Sequence, residues 1–276
     1  MNAAASDREA LVAPAAASPR TAIEVRGLRK RYGTLDAVRG ISFDVQRGEI
    51  FGLIGADGAG KTTTFQILAG VMEATGGTAE IFGRPARDAR ARTGYLTQTF
   101  SLYPDLSVNE NIRYIGELRR VPSAEIEERG ARYLKMFDMD RFSKRLAAQL
   151  SGGMKKRAAI ARALAMDPEI LFFDEPSAGL DPIIAAGLDE LILKLKKAFR
   201  ITIVVVTHEL ASAFLIADRM ILLDKGVVVA KGTPQELQQN TGPRVRQFLD
   251  RIPEPELAAE IDYLQMLTGE DPPQRR

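Results

Sequence analysis

Gly55-Ala56-Asp57-Gly58-Ala59-Gly60-Lys61-Thr62 decides how the rest of this 276-residue chain is read. It fits G-x-x-x-x-G-K-[ST], in which three glycines let the backbone wrap phosphate oxygens with its N–H groups. The apolar run Glu49–Ile54 before it reads as a strand. A helix is expected to begin near Lys61, with its positive end toward the same phosphates. Lys61 then neutralises β- and γ-phosphates, Thr62 ligates Mg²⁺, and Thr63 beside it joins the nucleotide contacts. A glycine turn followed by a surface lysine is the plainer alternative. Strand before and helix after are the context that phosphate binding requires.

Ahead of this loop, Ala22–Val25, Ile41–Val45 and Glu49–Ile54 come close together and suggest antiparallel pairing at one edge. Ile170–Phe173 and Thr202–Val206 are short continuous apolar runs, as expected of strands buried on both faces. Between them Ile184, Leu188, Leu191, Leu195 and Phe199 recur at three- and four-residue spacing, which predicts an amphipathic helix over Pro182–Arg200. Leu222–Lys231 reads as a hairpin turning at Asp224-Lys225-Gly226. Strands alternating with helices imply an α/β, RecA-like P-loop core with a mainly parallel sheet. Residues 103–154 are charge-rich, helical in spacing and without strand signal. They are read as a helical insert in a domain spanning 22–240, between a disordered tail (1–21) and a C-terminal extension (241–276).

The chain is 45% hydrophobic and 27% charged, with a formal net charge of +2 and no cysteine. Disulfide frameworks and thiolate metal sites are thereby excluded, and no strong field for nucleic acid is present. No apolar stretch approaches the roughly 20 residues needed to cross a bilayer. Any membrane role is expected to pass through a separate subunit.

Three further clusters carry chemistry. The strand Ile170–Phe173 ends in Asp174-Glu175, and beside a P-loop these acids read as a holder of the Mg²⁺ shell and a polariser of the attacking water. Leu150-Ser151-Gly152-Gly153-Met154 precedes an Ala-rich helix expected over Ala158–Met166. Alone, Ser-Gly-Gly is more often an N-cap and turn. His208, the single histidine, follows the strand Thr202–Val206.

The order P-loop, LSGG, apolar strand with Asp-Glu, then Gly-Leu-Asp resembles an ATP-binding-cassette (ABC) ATPase, over roughly Ile23 to Leu237. The resemblance implies ATP as substrate, Mg²⁺ as cofactor, and Ser151, Gly152 and Gly153 aimed at the γ-phosphate of a partner's ATP. It further implies Tyr32 stacking on adenine, Gln98 as the Q-loop glutamine sensing Mg²⁺ and water, Asp181 in the loop crossing a dimer interface, and His208 as the switch histidine beside catalytic Glu175. Met154 departs from the glutamine that many members carry, and Ser177 from a threonine.

The same likeness implies a homodimer of cassettes driving integral membrane permease subunits, peripherally, on the cytoplasmic face of a bacterial inner membrane. Phe100, Leu102, Tyr103 and Leu106 would form the socket for a permease helix. The half before Met154 resembles drug- and antibiotic-exporter ATPases. The half after it, with Pro243–Asp250, resembles the ATPase of Mce-type phospholipid transporters, so lipid cargo is expected, with drug export as the alternative. A soluble, non-transport ABC ATPase is the rival from another class. Val245, Phe248 and Leu249 are spaced as a short helix that either caps its own core or leads 252–276, with Tyr263, Leu264 and Leu267, toward a partner cassette or accessory subunit.

Overall fold

The computed structural model of the chain describes residues 20–97 and 102–253. Gln98, Phe100 and the proposed tail anchors Tyr263, Leu264 and Leu267 lie outside the described residues, as does most of the 1–21 tail. In chain order the elements begin β1 (Thr21–Tyr32), β2 (Leu35–Gln46), β3 (Ile50–Gly55), α1 (Lys61–Leu68), β4 (Gly76–Ile81), β5 (Arg84–Pro85) and β6 (Thr93–Leu96). They continue α2 (Val108–Leu118), α3 (Ser123–Met136), α4 (Gly152–Leu164), β7 (Ile170–Asp174), α5 (Pro182–Phe199) and β8 (Thr202–Thr207). The last are α6 (Leu210–Ile216), β9 (Arg219–Asp224), β10 (Val227–Gly232), α7 (Pro234–Gln238) and α8 (Pro243–Leu249).

Two sheets form. One has the order β2-β1-β4-β5, the other β10-β9-β3-β8-β7-β6. In the larger sheet β3 runs parallel to both β8 and β9, and β7 parallel to β6 and β8. Side chains alternate across β3: Phe51 and Leu53 pack with β1, β2 and α1, whereas Ile50 and Ile54 pack with α4, α5 and α6. Both faces are covered, which is why β3, β7 and β8 read as unbroken apolar runs.

One sequence expectation needs correction. β1 and β2 do pair antiparallel, but the Glu49–Ile54 run does not join them. Full burial on both faces draws it into the parallel sheet instead. β1 and β2 are also longer than their apolar cores, because Arg, Lys and Asp side chains extend the ladder into solvent. The hairpin forms where expected: Asp224 pairs with Val227, and Lys225 (φ 45°) and Gly226 (φ 82°) make the two-residue turn that matches strand twist.

Between β6 and β7 the described residues contain helices and no strand of the two sheets. Ser107 and Glu110 close a capping box on α2. α2 and α3 cross closely at glycine: a methyl group on Gly116 would sit 2.6 Å from Ile126 Cγ1. α5 starts on the Asp181 carboxylate, which accepts from the Ile183 and Ile184 amides at 3.1 and 3.0 Å. Near its other end Lys196 Nζ reaches both Asp218 oxygens at 2.5 and 2.7 Å, and Asp218 in turn accepts from the Ile50 amide at the base of β3. Among the described residues, no helix is long and apolar enough to cross a membrane.

Candidate functional site

β3, β8 and β7 are neighbours, and from their carboxyl ends emerge the P-loop, His208 and Glu175. Clefts at the carboxyl ends of parallel strands are where such sheets bind ligands. Gly55 (φ 153°) and Gly60 (φ 94°) hold backbone shapes that other residues resist. They also admit no side chain: a methyl on Gly55 would lie 2.2 Å from Leu223 O, and one on Gly60 2.5 Å from Ala37 O. Ala56, Asp57 and Gly58 are exposed or near the tip, and Ala59 is buried beneath.

Lys61 is only 6% exposed and folds back, donating to Gly55 O at 2.8 Å and Ala56 O at 2.9 Å. Burial lowers its pKa, and the charges of Asp57, Glu175 and Asp174 resist that shift. Thr62 stays exposed on the first turn of α1, with Thr63 half-buried beside it, while Thr64 bonds its own helix at Gly60 O.

Asp174 closes β7 with its side chain buried. Burial, reinforced by the charge of Glu175, pushes its carboxyl above the ordinary range, and Lys156 and Lys61 pull it back. Glu175 is equally buried and sits at φ 48°, a left-handed conformation costing on the order of 1–2 kcal/mol for a residue with a Cβ. Its Oε1 accepts from the His208 amide at 3.1 Å and lies 2.9 Å from His208 Nδ1. Nearby, Tyr95 on β6 is pushed up to about 12 by burial and the Asp174 charge. Lys61, Asp174, Glu175 and His208 are thus brought together.

The signature residues stand elsewhere. Ser151 caps α4, which begins at Gly152 rather than near Ala158, and its Oγ accepts from the Met154 amide at 3.4 Å. A methyl on Gly152 would meet Leu180 Cδ2 at 3.2 Å, and one on Gly153 would meet Ile184 Cγ2 at 2.7 Å. Ser151 and Gly153 line an open cavity of about 580 Å³ with Arg141, Arg157 and Ile184. The neighbours of this segment are thus α5 and the loop that leads into it. Asp181 spends its carboxylate on capping α5. Tyr32, 43% exposed, ends β1 with its hydroxyl 2.8 Å from Met72 Sδ.

Lys156 belongs to none of the motifs, yet it joins the acidic pair. It is 8% exposed on α4, burial lowers its pKa, and the charges of Asp174 and Glu175 oppose that. A signal for it exists in the sequence: Lys156 shares a helix face with buried Ala159, Ile160 and Ala163 at three-, four- and seven-residue spacing.

A magnesium nucleotide fits this chemistry. The cradle excludes side chains, a cation sits at its floor, and an exposed hydroxyl on Thr62 accompanies the buried Asp174 carboxylate. Among the described residues no three His, Asp or Glu side chains are arranged so as to hold a metal ion by themselves. Mg²⁺ suits such a site, taking one or two protein oxygens beside phosphates and water.

The family described as ABC transporter matches residues 38–178. The sulfate/thiosulfate import ATP-binding protein CysA of Bacillus cereus is 39% identical over 238 residues, covering 83% of this chain and 67% of that one. The Nod factor export ATP-binding protein I of Ralstonia nicotianae is 38% identical over 219 residues, covering 78% and 68%. Among solved structures, cbiO1 from Clostridium perfringens, part of the ABC transporter complex cbiONQ, superposes with a TM-score of 0.74 at 28% identity, covering 84% of this chain and 97% of that one. The dimeric post-hydrolysis state of the cassette MJ0796, bound to ADP and Pi, gives 0.69 at 28% identity, covering 77% and 98%. None of these names is that of a phospholipid or drug transporter, so the expected split between those two branches draws no support from them. With the fold, the P-loop and the two acids in place, the chain belongs to the ABC transporter family and is an ATP-binding, ATP-hydrolysing subunit.

Proposed function

We propose that the chain binds Mg·ATP on Gly55–Thr63, hydrolyses it with Glu175 and His208, and passes the resulting motion to membrane permease subunits. The observation carrying this reading is the meeting of buried Lys61, Asp174 and Glu175 with His208 at adjacent strand ends. Lys61 and the P-loop amides hold the β- and γ-phosphates. Glu175 takes the proton of the attacking water, with His208 fixing one of its oxygens. Bound Mg²⁺ would supply charge neutralisation at the phosphates, held by Thr62, Asp174 and Gln98.

Ser151–Gly153 lie at the start of α4, with Ser151 and Gly152 exposed and the two glycines beside Leu180 and Ile184. They are assigned to the ATP of a second copy, giving a head-to-tail pair with two-fold symmetry, Asp181 lying in the loop between the subunits and Tyr32 beside adenine. That the similar MJ0796 cassette is dimeric with ADP and Pi bound supports the pairing. A peripheral position on a membrane complex follows from the relatives' roles in transport.

Cargo is the finer question. The named relatives serve sulfate/thiosulfate import and Nod factor export, so neither direction nor substrate is common to them. The lipid reading rests on the resemblance of the C-terminal half alone. Purification of the tagged chain from its own membranes tests the transporter assignment. Recovery of an integral membrane permease supports it, and a purely soluble assembly favours the non-transport rival.

A further inference from the structure

α8 reaches the P-loop indirectly. Val245 is buried against the core, and Phe248 and Leu249 pack beside it, so this helix covers its own domain. From its first turn Arg244 grips Asp224 with two parallel bonds, Nε to Oδ2 at 2.7 Å and Nη2 to Oδ1 at 2.8 Å. A further Arg244 nitrogen donates to Gln247 Oε1 at 2.7 Å, which aligns the fork. Such planar two-point pairing fixes direction as well as distance. Burying the pair partly in protein keeps it from the full screening of an exposed ion pair.

Asp224 begins the turn that supports the phosphate loop. Leu223, just before it, presents the carbonyl against which Gly55 packs without room for a Cβ. Gly226, two residues on, donates its amide to Ala59 O at 3.1 Å. Its own carbonyl accepts from the Arg39 amide at 2.8 Å, tying the same turn to β2 beside Gly60. The first and fifth P-loop residues therefore lean on a tight hairpin whose leading carboxylate is held by α8. A cavity of about 310 Å³ between them is lined by Ala56, Asp224, Arg244 and Phe248.

We infer that Arg244 is a positioning residue for ATP: through Asp224 it sets the hairpin that shapes the P-loop. This rests on the assignment of Gly55–Thr63 to nucleotide phosphates. The helix lies nearly two hundred residues along the chain from the loop it steadies.

The test uses the full-length chain. Arg244→Gln should raise the KM for ATP by about 3- to 10-fold while kcat changes by less than about twofold. Backbone amides of residues 55–60 should exchange with deuterium faster, and those of β8 should not. Arg244→Lys, which keeps charge but loses the fork, should fall between wild type and Arg244→Gln on both measures, and it decides the matter if the glutamine variant does not fold. Unchanged KM with unchanged exchange at 55–60, or a lower kcat with KM unaltered, overturns the inference. Lys61→Ala is measured alongside with a fluorescent ATP analogue. If that variant keeps wild-type affinity the P-loop assignment itself fails; if it loses affinity while Arg244→Gln behaves as wild type, only the role of Arg244 fails.

Discussion

His208 holds Glu175 by one oxygen and leaves the other alone: its amide and Nδ1 both meet Oε1, and Oε2 is buried without a hydrogen-bond partner among the described residues. A buried carboxylate oxygen without a donor is costly unless something arrives to use it. Under the proposed mechanism the attacking water would donate to this oxygen.

Glu175→Gln should therefore bind ATP and lose turnover by about 10²–10⁴-fold, as when general-base assistance is removed. Phosphate release measured beside analogue binding checks both halves of that statement. Turnover within a few-fold of wild type would take Glu175 out of the role given to it.

His208→Ala removes the ring contact but keeps the amide bond to Oε1. A smaller loss is expected, about 10- to 100-fold in kcat. Because the two residues act as a unit, the double variant with Glu175→Gln should be no slower than Glu175→Gln alone. Multiplying losses in steady-state assays would show that the histidine works independently.

Ser151→Arg should leave nucleotide binding by the separate chain nearly intact, since the Ser151 hydroxyl is engaged at the start of its own helix. In the Glu175→Gln background it should keep sedimenting as a monomer in ATP, because the bulk enters the second copy's phosphate site. An ATP-dependent dimer of the double variant would argue against the head-to-tail arrangement.

Stability should carry a pH signature from Asp189. This α5 carboxyl is 4% exposed, bonds Ser212 of α6 closely, and leaves Oδ1 unpartnered among the described residues. Burial foremost raises its pKa; the Ser212 bond opposes the rise and the Glu209 charge adds to it. A raised folded-state pKa means a contribution to stability that is full below the unfolded pKa and lost as pH climbs through the folded one. Asp189→Asn should accordingly gain Tm relative to wild type as pH rises from acid to neutral. A constant difference across that range would mean that ionisation of Asp189 plays no part.

Motifs are legible where a residue type answers a local demand. Gly55 and Gly60 are glycines because a carbonyl occupies the place of any Cβ, and the spacing to Lys61 shows it. The unbroken apolar runs of β7 and β8 announce burial on both faces. Pairing is harder to see: Glu49–Ile54 follows β2 closely, and proximity in sequence suggests a hairpin that tertiary burial overrides. Lys156 is hidden because its charge suggests solvent while its helix face points inward. Arg244 is hidden more deeply, since its significance depends on Asp224, and nothing local to either residue joins them.

α5 bears on more than its own packing. Its first turn sets the place of Gly153 through Ile184, and its last turn is locked by Lys196 and Asp218 to the foot of β3, whose other end is the P-loop. The span from Ile184 to Lys196 is about 18 Å of helix at 1.5 Å per residue. One stiff rod thus sets both the surface offered to a second copy and the strand that carries this chain's own phosphate loop. In the two-fold pair proposed above, that rod would join each chain's signature segment to the strand behind its own P-loop.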